Sequence, residues 1–415
     1  MYKRQAEGGV KNLSSPIDNL KPIIPELLGE AAFVYVAKAN ELAKKGYNVI
    51  SFGVGQPDIP TFPHIIEAGK KALEARFTGY TETAGIYELR EAISEYLNSR
   101  YSANVKPSEV IVTPGAKGAI FLAIASYISQ GDEVIVPEPS FPAYPEVTKF
   151  LGGKPVFVPL KWRGTEKGFS LNVDEIESAI TKRTKMIILN NPHNPTGALF
   201  PEHEVSKIYE LAKENKLIVL ADEIYDNFIY DGLNFKGLLT QSDWRDYILY
   251  VNGFSKTFSM TGWRLGYLVV KEDLAQKLTR FAVNIYSCPT SFAQKAAIEA
   301  IKGSWAPVKE MISLFQKRRD LMASLLSKIP GFEVWPSKGA FYMFPNISKF
   351  LEQARLSTEA FVEYLINNYQ VITLPGGVFP DKAGSNYIRL SFASSFQAIE
   401  EGVKRINNAV NALLK

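Results

Sequence analysis

The chain has 415 residues, 46% hydrophobic and 22% charged, an ordinary globular composition with material for a large core. Its 47 basic and 43 acidic residues leave a net charge of +4 with no long run of one sign, which excludes the clustered excess charge of a nucleic-acid footprint. One cysteine, Cys288, excludes an internal disulfide and a cysteine-rich metal site, and three scattered histidines, His64, His193 and His203, do not form a zinc cluster.

The opening MYKRQAEGGVKNLSSP is polar and lacks the apolar centre of a signal peptide, and residues 1–20 read as a loose arm. The longest apolar stretch, AIFLAIASYI (119–128), is too short to span a bilayer. We therefore expect a cytoplasmic protein without membrane contact. From about 110 to 270, short runs rich in β-branched residues recur: EVIVTP, EVIVPEP, PVFVPL, KMIILNN, LIVLADE, ILYVNGF and LGYLVV. Helix-period segments lie between several of them, at 116–130 and at 202–215, where Val205, Ile208, Leu211 and Ala212 form a stripe. Strands apolar on both faces that alternate with helices predict a mostly parallel, doubly wound sheet. Past about 305 the texture changes. A long helical stretch (306–328) leads to GFEVW, GAFYMFP, a helix near 357–369 and YIRLSF, a smaller α+β unit that segment 22–60 joins.

Ligands of an open parallel sheet bind beyond the carboxyl ends of its strands. Five strands are followed by Thr113-Pro114-Gly115-Ala116-Lys117-Gly118, Ser140-Phe141-Pro142-Ala143-Tyr144, NPHNPTG (191–197), Asp222-Glu223-Ile224-Tyr225 and Gly253-Phe254-Ser255-Lys256. Taken singly, each has a plain structural use: a helix entry, a turn, a cap, a core aromatic, a solvated lysine. Together they place an anion-ready helix start, an aromatic ring, an amide, a carboxylate, a phenol and an amine on one edge. Arg264 follows Lys256 by eight positions (264 − 256). A lysine beside fixed cations loses proton affinity and becomes a nucleophile for carbonyl carbon. A helix start with an arginine holds a phosphate. This set matches pyridoxal phosphate (PLP), whose protein partners are a Schiff-base lysine and a group opposite the pyridine nitrogen.

The motifs SFGVGQPD (51–58), YTETAGIYELREAI (80–93), NPHNPTG, ADEIY and SKTFSMTGWRLG follow one another as they do in fold-type-I, class I/II aminotransferases. From about residue 30 to 410 the chain resembles the aspartate/aromatic aminotransferase family. The resemblance implies a large PLP-binding domain at 61–305 and a small domain built from 21–60 and 306–415. It implies that Lys256 forms the Schiff base and later shuttles a proton, that Asp222 pairs with the pyridinium nitrogen, and that Tyr225 and Asn194 bond the ring O3′. Phe141 would stack on the ring, where many relatives carry Trp or Tyr. Gly115, Ala116 and Lys117 would offer backbone N–H groups to the phosphate, with Ser255 and Arg264 completing the cup. Tyr80 resembles the tyrosine that reaches the phosphate of the neighbouring subunit, which implies a homodimer with its site at the interface. Arg389 would grip the substrate α-carboxylate as a bidentate fork, and Gly55 matches the glycine whose backbone lies against the substrate.

The chain departs from the family in two places. The stretch NIYSCPTSF (284–292) holds no arginine where one branch brings a second arginine from the partner subunit to the substrate side chain. Gly253 stands where some relatives carry a serine. The expected reaction is ping-pong transamination from an L-amino acid, aspartate or aromatic, to a 2-oxo acid such as 2-oxoglutarate. A β-elimination lyase on the same fold is the rival reading. A DNA-binding regulator would need an extra head domain, and a dinucleotide-dependent dehydrogenase would need G-x-G-x-x-G after a first strand.

Overall fold

The near-continuous apolar residues along the β-rich runs build one sheet buried on both sides. The computed structural model describes residues 21–29 and 31–415, so the arm expected at 1–20 lies outside the described residues. In chain order the strands are β1 (Ile50–Ser51), β2 (Val110–Pro114), β3 (Glu133–Glu138), β4 (Lys154–Pro159), β5 (Lys161–Trp162), β6 (Phe169–Ser170) and β7 (Thr184–Asn190). They continue with β8 (Ile218–Asp222), β9 (Ile248–Gly253), β10 (Leu265–Val269), β11 (Tyr342–Met343), β12 (Val371–Ile372), β13 (Leu374–Pro375) and β14 (Ile388–Ser391).

The main sheet has seven strands in the order β2-β10-β9-β8-β7-β3-β4. β10 runs antiparallel to both neighbours, and every other neighbouring pair is parallel. The carboxyl ends of β2, β3, β7, β8 and β9 therefore share one edge, and that edge also receives the start of β10. Successive side chains of a strand point to opposite faces. Ile111, Val134, Ile188, Leu220, Val251 and Leu268 pack on one face, under the helices Gly115–Ala125, Ala143–Phe150 and Glu272–Tyr286. Val112, Ile135, Ile187, Val219, Tyr250 and Val269 pack on the other, with Tyr87–Tyr101, Glu202–Glu214 and Ser291–Lys302. The predicted stripe Val205, Ile208, Leu211 and Ala212 is buried in that second layer.

The second unit is assembled from both ends of the chain. β11, β14 and β13 form a three-stranded antiparallel sheet, while β1 pairs in parallel with β12 through Ile50↔Val371 and Ser51↔Ile372. That pairing carries the SFGVGQPD loop to the edge of the main sheet. The helix Ala306–Leu326 packs on Phe396–Leu413. The helix expected near 357–369 is α-helical over Thr358–Tyr364, capped by the Ser357 side chain accepting from Ala360 N, and continues as a π-helical turn at Leu365–Tyr369. The whole is α/β, a mostly parallel seven-stranded sheet with a smaller α+β unit. No described helix is long and apolar enough to cross a membrane.

Candidate active site

The loops at the shared edge and the SFGVGQPD loop enclose a cavity of about 540 Å³, within the roughly 300–1,000 Å³ usual for small-molecule sites. Its walls include Gly55, Ala116, Lys117, Phe141, Asn194, Asp222, Tyr225, Ser255, Lys256, Arg264 and Arg389. Among the described residues, its lining carries four cations (Lys117, Lys256, Arg264, Arg389) against one carboxylate, Asp222. Such a lining concentrates anions.

Each side chain gets there for a local reason. Asp222 closes β8, and its backbone partners Asn190 at the end of β7. Its carboxylate is buried and accepts from Tyr144 Oη at 2.7 Å and from Ile224 N at 3.1 Å. Burial pushes its pKa up to about 6, while the two donors and the nearby Lys256 pull the other way. It is thus anionic at neutral pH and close to its limit. Lys256 follows β9, and its Nζ donates to the Gly55 carbonyl at 2.5 Å. The same amine lies 5.9 Å from the ring centres of Tyr225 and Phe341.

Arg264 immediately precedes β10. Because β10 is antiparallel to β2 and β9, its start lies on the same edge as their ends. Arg264 adopts φ +56°, and its Nη1 donates to the Thr261 carbonyl at 2.9 Å. The guanidinium presses against the start of helix Gly115–Ala125. Gly115 has φ +74°, and a Cβ there would stand 2.3 Å from Arg264 Nη2. Only glycine meets both demands. Gly115 thus shapes the cavity without lining it, and the start of the helix, whose first N–H groups have no intrahelical partner, lies beside the guanidinium.

Arg389 sits on β14, opposite Leu374 of β13, and is 4% exposed. Its Nη1 donates to Asn194 Oδ1 at 2.9 Å and its Nη2 to the Gly53 carbonyl at 2.8 Å. The charge is therefore fixed in place by partners from both units of the chain. Phe141 meets Tyr144 edge-on at 5.6 Å. Tyr80 is the exception: it is 91% exposed and does not line the cavity of its own chain.

Three residues escaped the reading of the motifs. Tyr144, one helical turn beyond Phe141, holds Asp222; their spacing of three in SFPAY was the available signal. Asn190, the last residue of β7, donates from Nδ2 to the Asp222 carbonyl at 3.0 Å and accepts from Asn194 N at 2.9 Å, so one side chain ties two loops of the site together. Tyr342 on β11 reaches Tyr225 Oη at 2.6 Å, and no local pattern pointed to it. His193 of NPHNPTG is structural. It is buried against Phe200 with Nδ1 2.8 Å from Thr196 Oγ1, and burial lowers its pKa to about 3.

Comparison with known proteins places this arrangement. The family model for aminotransferase class I and II matches residues 47–406. The chain is 53% identical to an aspartate aminotransferase of Sulfurisphaera tokodaii, covering 96% of this chain and 99% of the relative. It is 49% identical to an aspartate aminotransferase of Sulfolobus acidocaldarius, over 96% and 99% of the two chains. Among solved structures, the aspartate aminotransferase of Thermus thermophilus with maleate superposes with a TM-score of 0.87 at 32% identity, covering 94% of this chain and 99% of that one. With its fold, its cavity and these relatives in agreement, the chain belongs to the class I and II aminotransferases, the pyridoxal-phosphate-dependent enzymes that move an amino group from an L-amino acid to a 2-oxo acid.

Proposed function

We propose that this enzyme binds PLP in the cavity, attached to Lys256, and that aspartate is its preferred amino donor. The observation that carries the reading is the position of the Lys256 amine. It lines the same cavity as the buried Asp222 carboxylate, whose charge it favours, and as Arg264, which lies against the start of helix Gly115–Ala125.

The residues fit the group. The missing Cβ of Gly115 leaves room for Arg264 against the helix start, a cradle suited to a phosphate dianion. Ala116 and Lys117 would supply backbone N–H groups there, and Ser255 a hydroxyl. Asp222 would face the ring nitrogen, Phe141 the ring face, and Tyr225 and Asn194 the ring oxygen. When bound, the cofactor supplies an electron sink for the carbanion formed at the amino acid's Cα and carries the amino group between the two half-reactions. The chain's own residues do the remaining work. Arg389 binds the α-carboxylate and orients Cα. The Lys256 amine takes the Cα proton as a positioned general base and returns it. Asp222 holds its negative charge in a low-dielectric site, where it acts most strongly.

Arg389, Arg264 and Lys256 account for three of the four cations of the cavity. Lys117, whose ammonium lies 5.6 Å from the ring centres of Phe33 and Phe141, is the remaining one and suits a side-chain carboxylate. This supports aspartate over an aromatic donor, as do the names of the relatives. We also read the enzyme as a cytoplasmic homodimer in which the exposed Tyr80 serves the partner's cup, with 61–305 as one unit and 21–60 with 306–415 as the other. Absorbance of the purified protein with PLP tests the central claim. A near-visible band that Lys256→Ala abolishes, together with turnover, is the expected result. L-aspartate, and not L-phenylalanine, should convert the band to the pyridoxamine form. A Lys256→Ala protein with the same band and activity ends the proposal.

A further inference from the structure

We infer that Tyr342 is a positioning residue that sets the hydrogen-bond direction of Tyr225 and couples it to the carboxylate grip at Arg389. This rests on the role proposed above for Tyr225.

Three contacts carry the inference. The hydroxyls of Tyr342 and Tyr225 are 2.6 Å apart, with both residues almost fully buried. The ring of Tyr342 lies under the Arg389 guanidinium, whose carbon is 4.3 Å from the ring centre. A Cβ on Gly55 would fall 2.5 Å from Tyr342 Oη, so glycine at this position makes room for that hydroxyl. One side chain therefore touches the group that binds substrate and the group that faces the cofactor oxygen.

A hydroxyl donates a single proton. If Tyr225 gives its proton to the cofactor's O3′, its oxygen must accept from Tyr342. A hydroxyl that accepts a hydrogen bond becomes a stronger donor. The Tyr225–Phe341 and Tyr225–Tyr342 edge contacts, at 5.3 Å and 5.7 Å, hold the two rings in that register. The other charged groups near Tyr225 are Arg389, Asp222 and Lys256. A carboxylate that draws Arg389 toward it would move the guanidinium on the Tyr342 ring, and the shift would pass to Tyr225 through the shared hydroxyl contact. No covalent link is required.

The experiment uses the PLP-loaded enzyme and titrates its near-visible band with pH, alone and with maleate, in the wild type, Tyr225→Phe, Tyr342→Phe and Tyr342→Leu. Tyr342→Phe keeps the ring and removes the hydroxyl. Its band pKa should rise by roughly half to one unit, in the direction of Tyr225→Phe but by less. Maleate should bind Tyr342→Phe nearly as in wild type and Tyr342→Leu about tenfold more weakly, because only the latter loses the ring under Arg389. A normal band pKa in Tyr342→Phe with a raised one in Tyr225→Phe overturns the inference and leaves the Tyr225 role standing. An unchanged pKa in both overturns the Tyr225 role, and the inference with it. Unchanged maleate affinity in a folded Tyr342→Leu, judged by its thermal midpoint, removes the coupling to Arg389.

Discussion

Asp222 and Glu223 are consecutive, equally buried carboxylates with different neighbours. Asp222 faces the cavity, accepts from Tyr144 and Ile224, and has the Lys256 cation nearby; its pKa rises only to about 6. Glu223 does not line the cavity, accepts from Leu238 N at 2.7 Å, and has both the Asp226 carboxylate and the Arg100 cation nearby. Its pKa rises to about 8, mainly through burial. Burial thus shifts Glu223 further toward its neutral form than Asp222. Burial raises both, and both have donors and a cation nearby; Glu223 alone also has a second carboxylate, Asp226, that opposes them. The cavity side is built to keep a charge. The rear side, where Arg100 spends its donors on the Asp226 carbonyl and Asn227 Oδ1, is built to hold the loop still.

Isosteric removal of each charge separates the roles of the two carboxylates. Asp222→Asn should cost about 10²–10³-fold in kcat, the scale of losing one preorganised electrostatic group. Glu223→Gln should leave turnover near wild type. Equal losses in the two variants would mean that the charge of Asp222 is not what matters. Arg389→Ala comes next. Losing a buried, hydrogen-bonded charge costs about 2 kcal/mol or more, so KM for the amino donor should rise roughly 30-fold or more. An unchanged dependence on donor concentration would remove Arg389 from the substrate site.

Tyr144→Phe tests the setting of Asp222 while leaving the carboxylate itself in place. The lost donor is worth about 1 kcal/mol. Its loss raises the Asp222 pKa further, so PLP affinity should begin to fall at a higher pH than in wild type as the medium is acidified. Identical pH profiles of reconstitution would show that Tyr144 does not tune Asp222. The smallest effect is on stability. Glu223 has a folded pKa above its unfolded value near 4.5. Its contribution is therefore full below about pH 4.5 and is lost as pH rises through about 8. Glu223→Gln stays neutral throughout, so its Tm relative to wild type should climb across that window. A constant difference would contradict the raised pKa.

The seven β-rich runs, the helices between them and the residues that end each strand are legible from residue order alone. These are near-neighbour properties. The continuous β-branched runs, the stripe of Val205, Ile208, Leu211 and Ala212, and the turn chemistry of NPHNPTG are written within a few positions of one another. Rim residues such as Asp222, Asn194 and Lys256 were legible for that reason: the parallel rule carries strand ends to a common edge without any knowledge of packing.

The rest of the site depends on how distant segments pack. The antiparallel direction of β10 brings Arg264 to the rim from the start of a strand instead of its end. The pairing of β1 with β12, more than three hundred residues apart in sequence, delivers Gly55 to Lys256 and Arg389 to Gly53. Tyr342 meets Tyr225 across 117 positions. Asp222 and Glu223 read alike in ADEIY, yet packing raises the pKa of the second further than that of the first. Residue type fixes what a side chain is able to do. Its charge state and its partners depend on desolvation and on distances of a few ångströms, which exist only once distant segments are packed together.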